Sequence, residues 1–181
     1  NWRNAASRRA ATSRPPGSRA FSDANASASA VSASVLMGRS SAVIATKSAS
    51  FIQAFCKIGL VPDSGGTYFL PRLVGSARAM GLAFFGDRVS AEQAAEWGLI
   101  WKCVDDGEFV ATTDAMAAQL ADAPTAGLAA IKRALYASSG NTLEQQLDVE
   151  RDAQRALGNS ADYREGVAAF LEKRAPRFSG R

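Results

Sequence analysis

The residue texture changes abruptly near position 43, and that change limits how much of the chain can build a core. Residues 1–42 contain ten serines and eleven alanines, broken by Arg8-Arg9 and Pro15-Pro16. Large apolar side chains are too sparse there to offset the entropy lost on ordering, so a low-complexity, disordered tail is expected. Its Arg-rich, Ser-rich and acid-poor make-up superficially matches an organellar transit peptide. The first residue is Asn1 rather than Met, and a simple flexible tail or a scrambled segment is the preferred expectation. The remainder, 43–181, is long enough for one domain with a core of its own.

The same division decides how the charge is read. The chain has 21 basic and 17 acidic side chains; six arginines and Asp23 fall in residues 1–42, which leaves 15 against 16 beyond them. The patterned part is close to neutral, so a nucleic-acid face is not supported there. No apolar run reaches the ~18 to 20 residues of a membrane span. Histidine is absent, which excludes Ser-His-Asp and Cys-His mechanisms and histidine metal sites. Cys56 and Cys103 lack the spacing of a zinc or redox motif, and a reduced, cytoplasmic setting is expected. Nothing signals a metal or a nicotinamide cofactor.

Beyond position 43 the signals become mainly helical. Val43-Ile44-Ala45 reads as a short strand and Ser50 to Phe55 as a second extended piece. Gly65-Gly66 precede a helix to about Val74 that Pro71 bends or ends early, with Gly75 as its stop. Ser76 to Phe85 is a second helix bounded by Gly86. Ser90 and Gln93 form a capping box, and so do Thr142 and Gln145. Leu99 to Val104 reads as a buried strand. Helical spacing then relates Phe109, Met116, Ala117 and Leu120, next Leu128, Ile131 and Leu135, and finally Tyr163, Val167, Phe170 and Leu171. A helix-rich C-terminal array with short strands follows.

Within this order one stretch raises a chemical question: Ile58-Gly-Leu-Val-Pro-Asp-Ser-Gly-Gly-Thr-Tyr-Phe-Leu-Pro-Arg-Leu-Val-Gly75. Asp63 stands where an N-terminal cap would satisfy orphan helix amides, and capping is its ordinary explanation. The alternative is that the glycines admit a ligand to the backbone while Asp63 carries a proton.

The stretch resembles the Gly-Leu-x-Pro-x-x-Gly-Gly turn of the enoyl-CoA hydratase/isomerase, or crotonase, family. Gly86-Asp-Arg-Val-Ser-Ala-Glu-Gln-Ala-Ala95 and Gly98-Leu-Ile-Trp-Lys-Cys-Val104 resemble its next two motifs in order. Asp162 to Phe178 is similar to its closing helix. The resemblance implies an α/β, partial crotonase-like (ClpP/crotonase) fold over 43–181, acyl-CoA as substrate, no separate cofactor, and a homo-oligomer, trimer or hexamer. Hydratases of the family carry a glutamate before the turn, where this chain has Phe55. An aspartate inside the turn resembles the isomerase branch, and this implies Asp63 as catalytic acid/base on a thioester enolate. It also implies substrate contacts at Gly65 and Gly66, and contacts of Phe170 and Lys173 with the CoA adenine and phosphate. Gly65 and Gly66 are otherwise turn formers, and Phe170 and Lys173 otherwise part of an amphipathic helix. Lys132 and Arg133 are expected on a solvent-facing edge, and Trp97, Trp101 and Cys103 in packing.

The family's first half supplies both oxyanion donors, and residues 1–42 hold no counterpart to its motifs. Truncation or an altered reading frame near Val43 is one expectation. Weak turnover is another, because each lost oxyanion donor costs on the order of 10² to 10³ in rate. A general hydratase and a non-catalytic remnant retaining assembly surfaces are the competing expectations.

Overall fold

The computed structural model describes residues 42–181, so the expected tail lies outside the described residues except for Ala42. Two compact units are present, one comprising Ala45–Cys103 and the other Val104–Arg181 with residues 42–44.

The first unit is built from short strands and three helices. Strand β1 (Ile44–Thr46) is followed by β2 (Ser50–Phe51) and a 3-10 turn at Ala54–Ile58. Helices α1 (Gly66–Val74) and α2 (Ser76–Phe85) come next, then β3 (Val89–Ser90), α3 (Ala91–Glu96) and β4 (Lys102–Val104). β1 pairs with β4, while β2 and β3 run antiparallel with Phe51 opposite Val89. Both side chains of that pair are buried and face the core with Leu70, Val74, Ala79 and Leu82. Leu70 and Val74 lie one helical turn apart, which gives α1 a buried stripe against α2.

Pro71 does not end α1. It removes one backbone donor, yet the helix continues to Val74, where the burial of Leu70 and Val74 outweighs one lost hydrogen bond. Gly75 (φ 80°) then joins α1 directly to α2, receiving a bond from Ala79 N–H and donating to the Pro71 carbonyl.

Three local expectations are corrected here. Ser50 to Phe55 is not extended throughout: β2 stops at Phe51 and Ala54 begins the 3-10 turn, which Gly59 closes in the left-handed region. The strand expected from Leu99 begins only at Lys102, because the Leu99 and Ile100 amides bond back to the Ala94 carbonyl and finish the turn after α3. At Ser90 only the hydroxyl half of the capping box is present, the Gln93 N–H donating to Ser90 Oγ at 3.2 Å.

The second unit contains a 3-10 turn (Asp106–Glu108) and helices α4 (Phe109–Ala121), α5 (Thr125–Ser138), α6 (Leu143–Leu157) and α7 (Ala161–Glu172). Thr142 and Gln145 form the complete reciprocal capping box at the start of α6. α5 and α6 pack together, and Gln146 Nε2 ties them by donating to the Ala134 carbonyl at 3.2 Å. The helical spacing of Ile131, Leu135, Tyr163, Val167, Phe170 and Leu171 is realised, with those side chains exposed.

Candidate active site

Asp63 opens a four-residue turn that feeds α1. The Gly66 N–H donates to the Asp63 carbonyl at 2.7 Å, and the two residues between them have positive φ, 50° at Ser64 and 82° at Gly65. A closing bond with both central residues left-handed is type I′ geometry. Gly65 adopts it freely, whereas an L-residue such as Ser64 gives up ~1 to 2 kcal/mol there. The turn therefore stores strain beside Asp63.

The ordinary explanation of Asp63 does not hold in this geometry. The N-cap of α1 is Gly65, and no side chain caps that helix. The Asp63 carboxylate is exposed and has no hydrogen-bond or ion-pair partner among the described residues. A free carboxylate at a fixed turn can accept a proton and return it, which is the requirement for acid/base work.

Gly65 and Gly66 are accounted for by the turn. A Cβ on Gly65 would meet the Phe69 ring at 3.0 Å, and one on Gly66 would meet Pro62 Cβ at 3.0 Å. Phe55, at the position where the resemblance places a hydratase glutamate, sits half-buried in the 3-10 turn, and its ring offers no proton-transfer group.

The other two site candidates lie in the second unit. Phe170 is 83% exposed on α7 and borders a cavity of about 460 Å³ that Tyr163, Val167 and Phe178 also line. Lys173 caps α7 in the left-handed region at φ 54°. Its N–H bonds to the Phe170 carbonyl and the Arg174 N–H to the Ala169 carbonyl, a Schellman motif with lysine in the usual glycine place. The structure thus groups Asp63 with Gly65 and Gly66 in one unit and Phe170 with Lys173 in the other.

A second cluster has no role assigned from sequence. The chain after Lys173 folds back along α7 and is held by two carboxylates one turn apart. Arg174 grips Glu165 with two prongs, 2.6 and 2.9 Å, and also bonds Glu172 at 2.6 Å. The Arg177 N–H adds a bond to Glu165 at 2.8 Å. Buried Asp162 accepts the Ser179 N–H at 2.6 Å, the Ser179 hydroxyl at 3.1 Å and the Gly180 N–H at 2.8 Å. The Arg174 hydrogen bond, then that of Arg177, lowers the Glu165 carboxyl to about 2, and the Ser179 amide leads in lowering Asp162. The sequence signal available was the Asp162/Glu165 spacing of three, followed by Arg174.

Of the packing expectations, Trp97 is half-buried beneath the Arg78 guanidinium, 5.1 Å from the ring centre, and Cys103 is half-buried. Trp101 is 70% exposed, which corrects the packing expectation: it lies in the bend just before β4. Lys132 and Arg133 lie exposed on α5. Among the described residues no acidic or cysteine cluster could hold a metal, and no helix is long and apolar enough to cross a membrane.

Comparison with known proteins bears on this geometry. The family model described as enoyl-CoA hydratase/isomerase matches residues 34–181. The 1,2-epoxyphenylacetyl-CoA isomerase of Escherichia coli strain K12 is 58% identical over 139 residues, 77% of this chain and 53% of that protein. A Rhodobacter capsulatus protein named "Probable enoyl-CoA hydratase" is 55% identical over 139 residues, 77% of this chain and 54% of that one. The crystal structure of an enoyl-CoA hydratase from Polaromonas sp. JS666 matches at 34% identity with a TM-score of 0.77, covering 83% of this chain and 59% of the other. The chain spans about half the length of the curated relatives it matches. Its fold is crotonase-like, with many helices and few, short strands among the described residues. By sequence and by fold, the chain belongs to the enoyl-CoA hydratase/isomerase family.

Proposed function

We propose that this chain serves an acyl-CoA isomerase with Asp63 as the proton carrier, acting on 1,2-epoxyphenylacetyl-CoA or a closely related acyl thioester of phenylacetate breakdown. The observation that carries the reading is the Asp63 carboxylate, held at a strained type I′ turn and left out of the α1 cap. The 58% identity to the E. coli isomerase supports the substrate class.

The thioester carbonyl acidifies the neighbouring C–H bond by taking its electron pair into an enolate. Asp63 removes that proton and returns it to another carbon of the same molecule, so no atom is gained or lost. For the epoxide the accompanying change is ring expansion to an oxepin; for an unsaturated chain it is migration of the double bond. Gly65 and Gly66 let the acyl group approach the turn, and Phe170 and Lys173 receive the CoA adenine and phosphate. The working assembly is a homo-oligomer, trimer or hexamer, in the cytoplasm, and CoA enters as part of the substrate.

A hydratase is the second reading, favoured by the name of the Rhodobacter relative. Phe55 weighs against it, since a phenyl ring cannot activate water.

The test is turnover and binding by the purified chain with epoxidised phenylacetyl-CoA and an unsaturated acyl-CoA. Slow isomerisation abolished by Asp63→Asn is expected. Water addition indifferent to Asp63 would establish the hydratase, and CoA binding with no turnover in any variant would establish a remnant.

A further inference from the structure

Lys173 occupies a position where glycine is the unstrained choice. It is the left-handed residue of a Schellman motif, at φ 54° and ψ 39°, and an L-side chain there costs ~1 to 2 kcal/mol. Such strain persists where the surroundings over-determine it. Here the constraint is the adjoining residue: Arg174 is fixed by two prongs on Glu165 and a third bond on Glu172. The span of nine residues between Glu165 and Arg174 ties the middle of α7 to the residue after its last turn.

The same clamp sorts the charges. Residues 172–181 contain Lys173, Arg174, Arg177 and Arg181 against Glu172 alone. Arg174 is neutralised between two carboxylates, whereas the Lys173 ammonium has no ion-pair partner among the described residues. An acid that would otherwise compete for Lys173 is thereby kept on Arg174.

We infer that Glu165 is a positioning residue: through Arg174 it locks the left-handed turn that presents the Lys173 ammonium to a phosphate of the acyl-CoA nucleotide. This rests on the acyl-CoA reading above, in which Lys173 meets that phosphate. The clamp is expected to act on nucleotide affinity and not on proton transfer, since the hydrogen bonds of Glu165 go to Arg174 and to the Arg177 amide.

The test measures affinity of the full chain for CoA and for dephospho-CoA, which lacks the 3′-phosphate. The unaltered chain is expected to favour CoA by about fivefold, the size of one exposed ionic contact. Lys173→Gly is expected to abolish that preference while raising thermal stability, because the turn loses its strain. Glu165→Gln is expected to reduce the preference and to add nothing when combined with Lys173→Gly, the mark of two residues acting as one. Arg174→Lys, which keeps the charge but loses the two-pronged grip, gives a second measurement in the same direction should the Glu165 variant fold poorly. If the unaltered chain shows no preference, or keeps it in Lys173→Gly, the phosphate role of Lys173 falls and the inference with it. If Lys173→Gly loses the preference but Glu165→Gln and Arg174→Lys both keep it, the acyl-CoA reading stands and the positioning role alone is overturned.

Discussion

The Gly66 amide closes the turn on the backbone carbonyl of Asp63 at 2.7 Å, while the Asp63 side chain takes no part in capping the helix that Gly66 begins. Backbone and side chain of one residue thus have separable duties. Asp63→Asn leaves the turn's closing bond intact and removes only the proton-accepting group. Turnover is expected to fall by about 10²- to 10⁴-fold, the usual worth of a positioned acid/base. The melting temperature should stay within about a degree, since a surface change away from caps and core lies within ~0.5 kcal/mol. A clear loss of thermal stability in Asp63→Ala, which removes a cap that asparagine would keep, would mean that the carboxylate caps α1 after all.

Much of this arrangement was legible because it is local. Gly65, Gly75 and Gly86 mark helix ends through their own backbone freedom, and Thr142 with Gln145 declares a helix start within four residues. What escaped depends on distant partners. Glu165 meets Arg174 nine residues on and Asp162 meets Ser179 seventeen residues on, separations that no helical or strand period encodes. The start of β4 was misplaced for a related reason: Leu99 and Ile100 spend their amides on Ala94, so Trp101, 70% exposed, stands before the strand and not in it. Asp63 itself was ambiguous in sequence because a capping and a catalytic carboxylate share one spelling.

The glycine at the turn can be weighed against one that is only a stop signal. Gly65 (φ 82°) and Gly59 (φ 72°) are both left-handed, but a Cβ on Gly59 meets nothing within 4 Å and one on Gly65 meets the Phe69 ring at 3.0 Å. Gly59→Ala should cost ~1 to 2 kcal/mol from the backbone alone. Gly65→Ala should cost ~1 kcal/mol more, because half-buried Phe69 must shift as well. Urea denaturation of the two variants checks the order; equal midpoints would show that Phe69 yields freely.

Gln53 is the least comfortable side chain in the first unit. It is 2% exposed, and neither its amide nitrogen nor its oxygen has a hydrogen-bond partner among the described residues. An unsatisfied buried amide costs ~1 to 3 kcal/mol, so Gln53→Met, similar in volume and apolar, should raise stability by about that amount. Differential scanning calorimetry decides it. A fall in melting temperature of comparable size would show that the amide is satisfied, by an ordered water for example.

Acid should release the C-terminal strap before it melts α1. Glu165 is held at about 2, against 4.5 for a free glutamate, chiefly by its hydrogen bond to Arg174. A depressed carboxylate contributes fully above its unfolded value and loses that contribution as pH falls through the folded one, so the window runs from about 4.5 down to about 2. Asp162 shifts in the same direction, led by the Ser179 amide, and weakens together with Glu165. The amides of Arg177, Ser179 and Gly180 donate to these two carboxylates and report on them directly. Hydrogen exchange should show them protected near neutrality and exposed by roughly pH 2, while the α1 amides, which no side chain caps, keep their protection longer. In Glu165→Gln the Arg177 amide should lose its acid dependence, because the group that titrates is gone. Protection of all three amides persisting unchanged down to pH 2 would show that contacts such as Phe178 on Gly166, and not the two carboxylates, hold the strap in place.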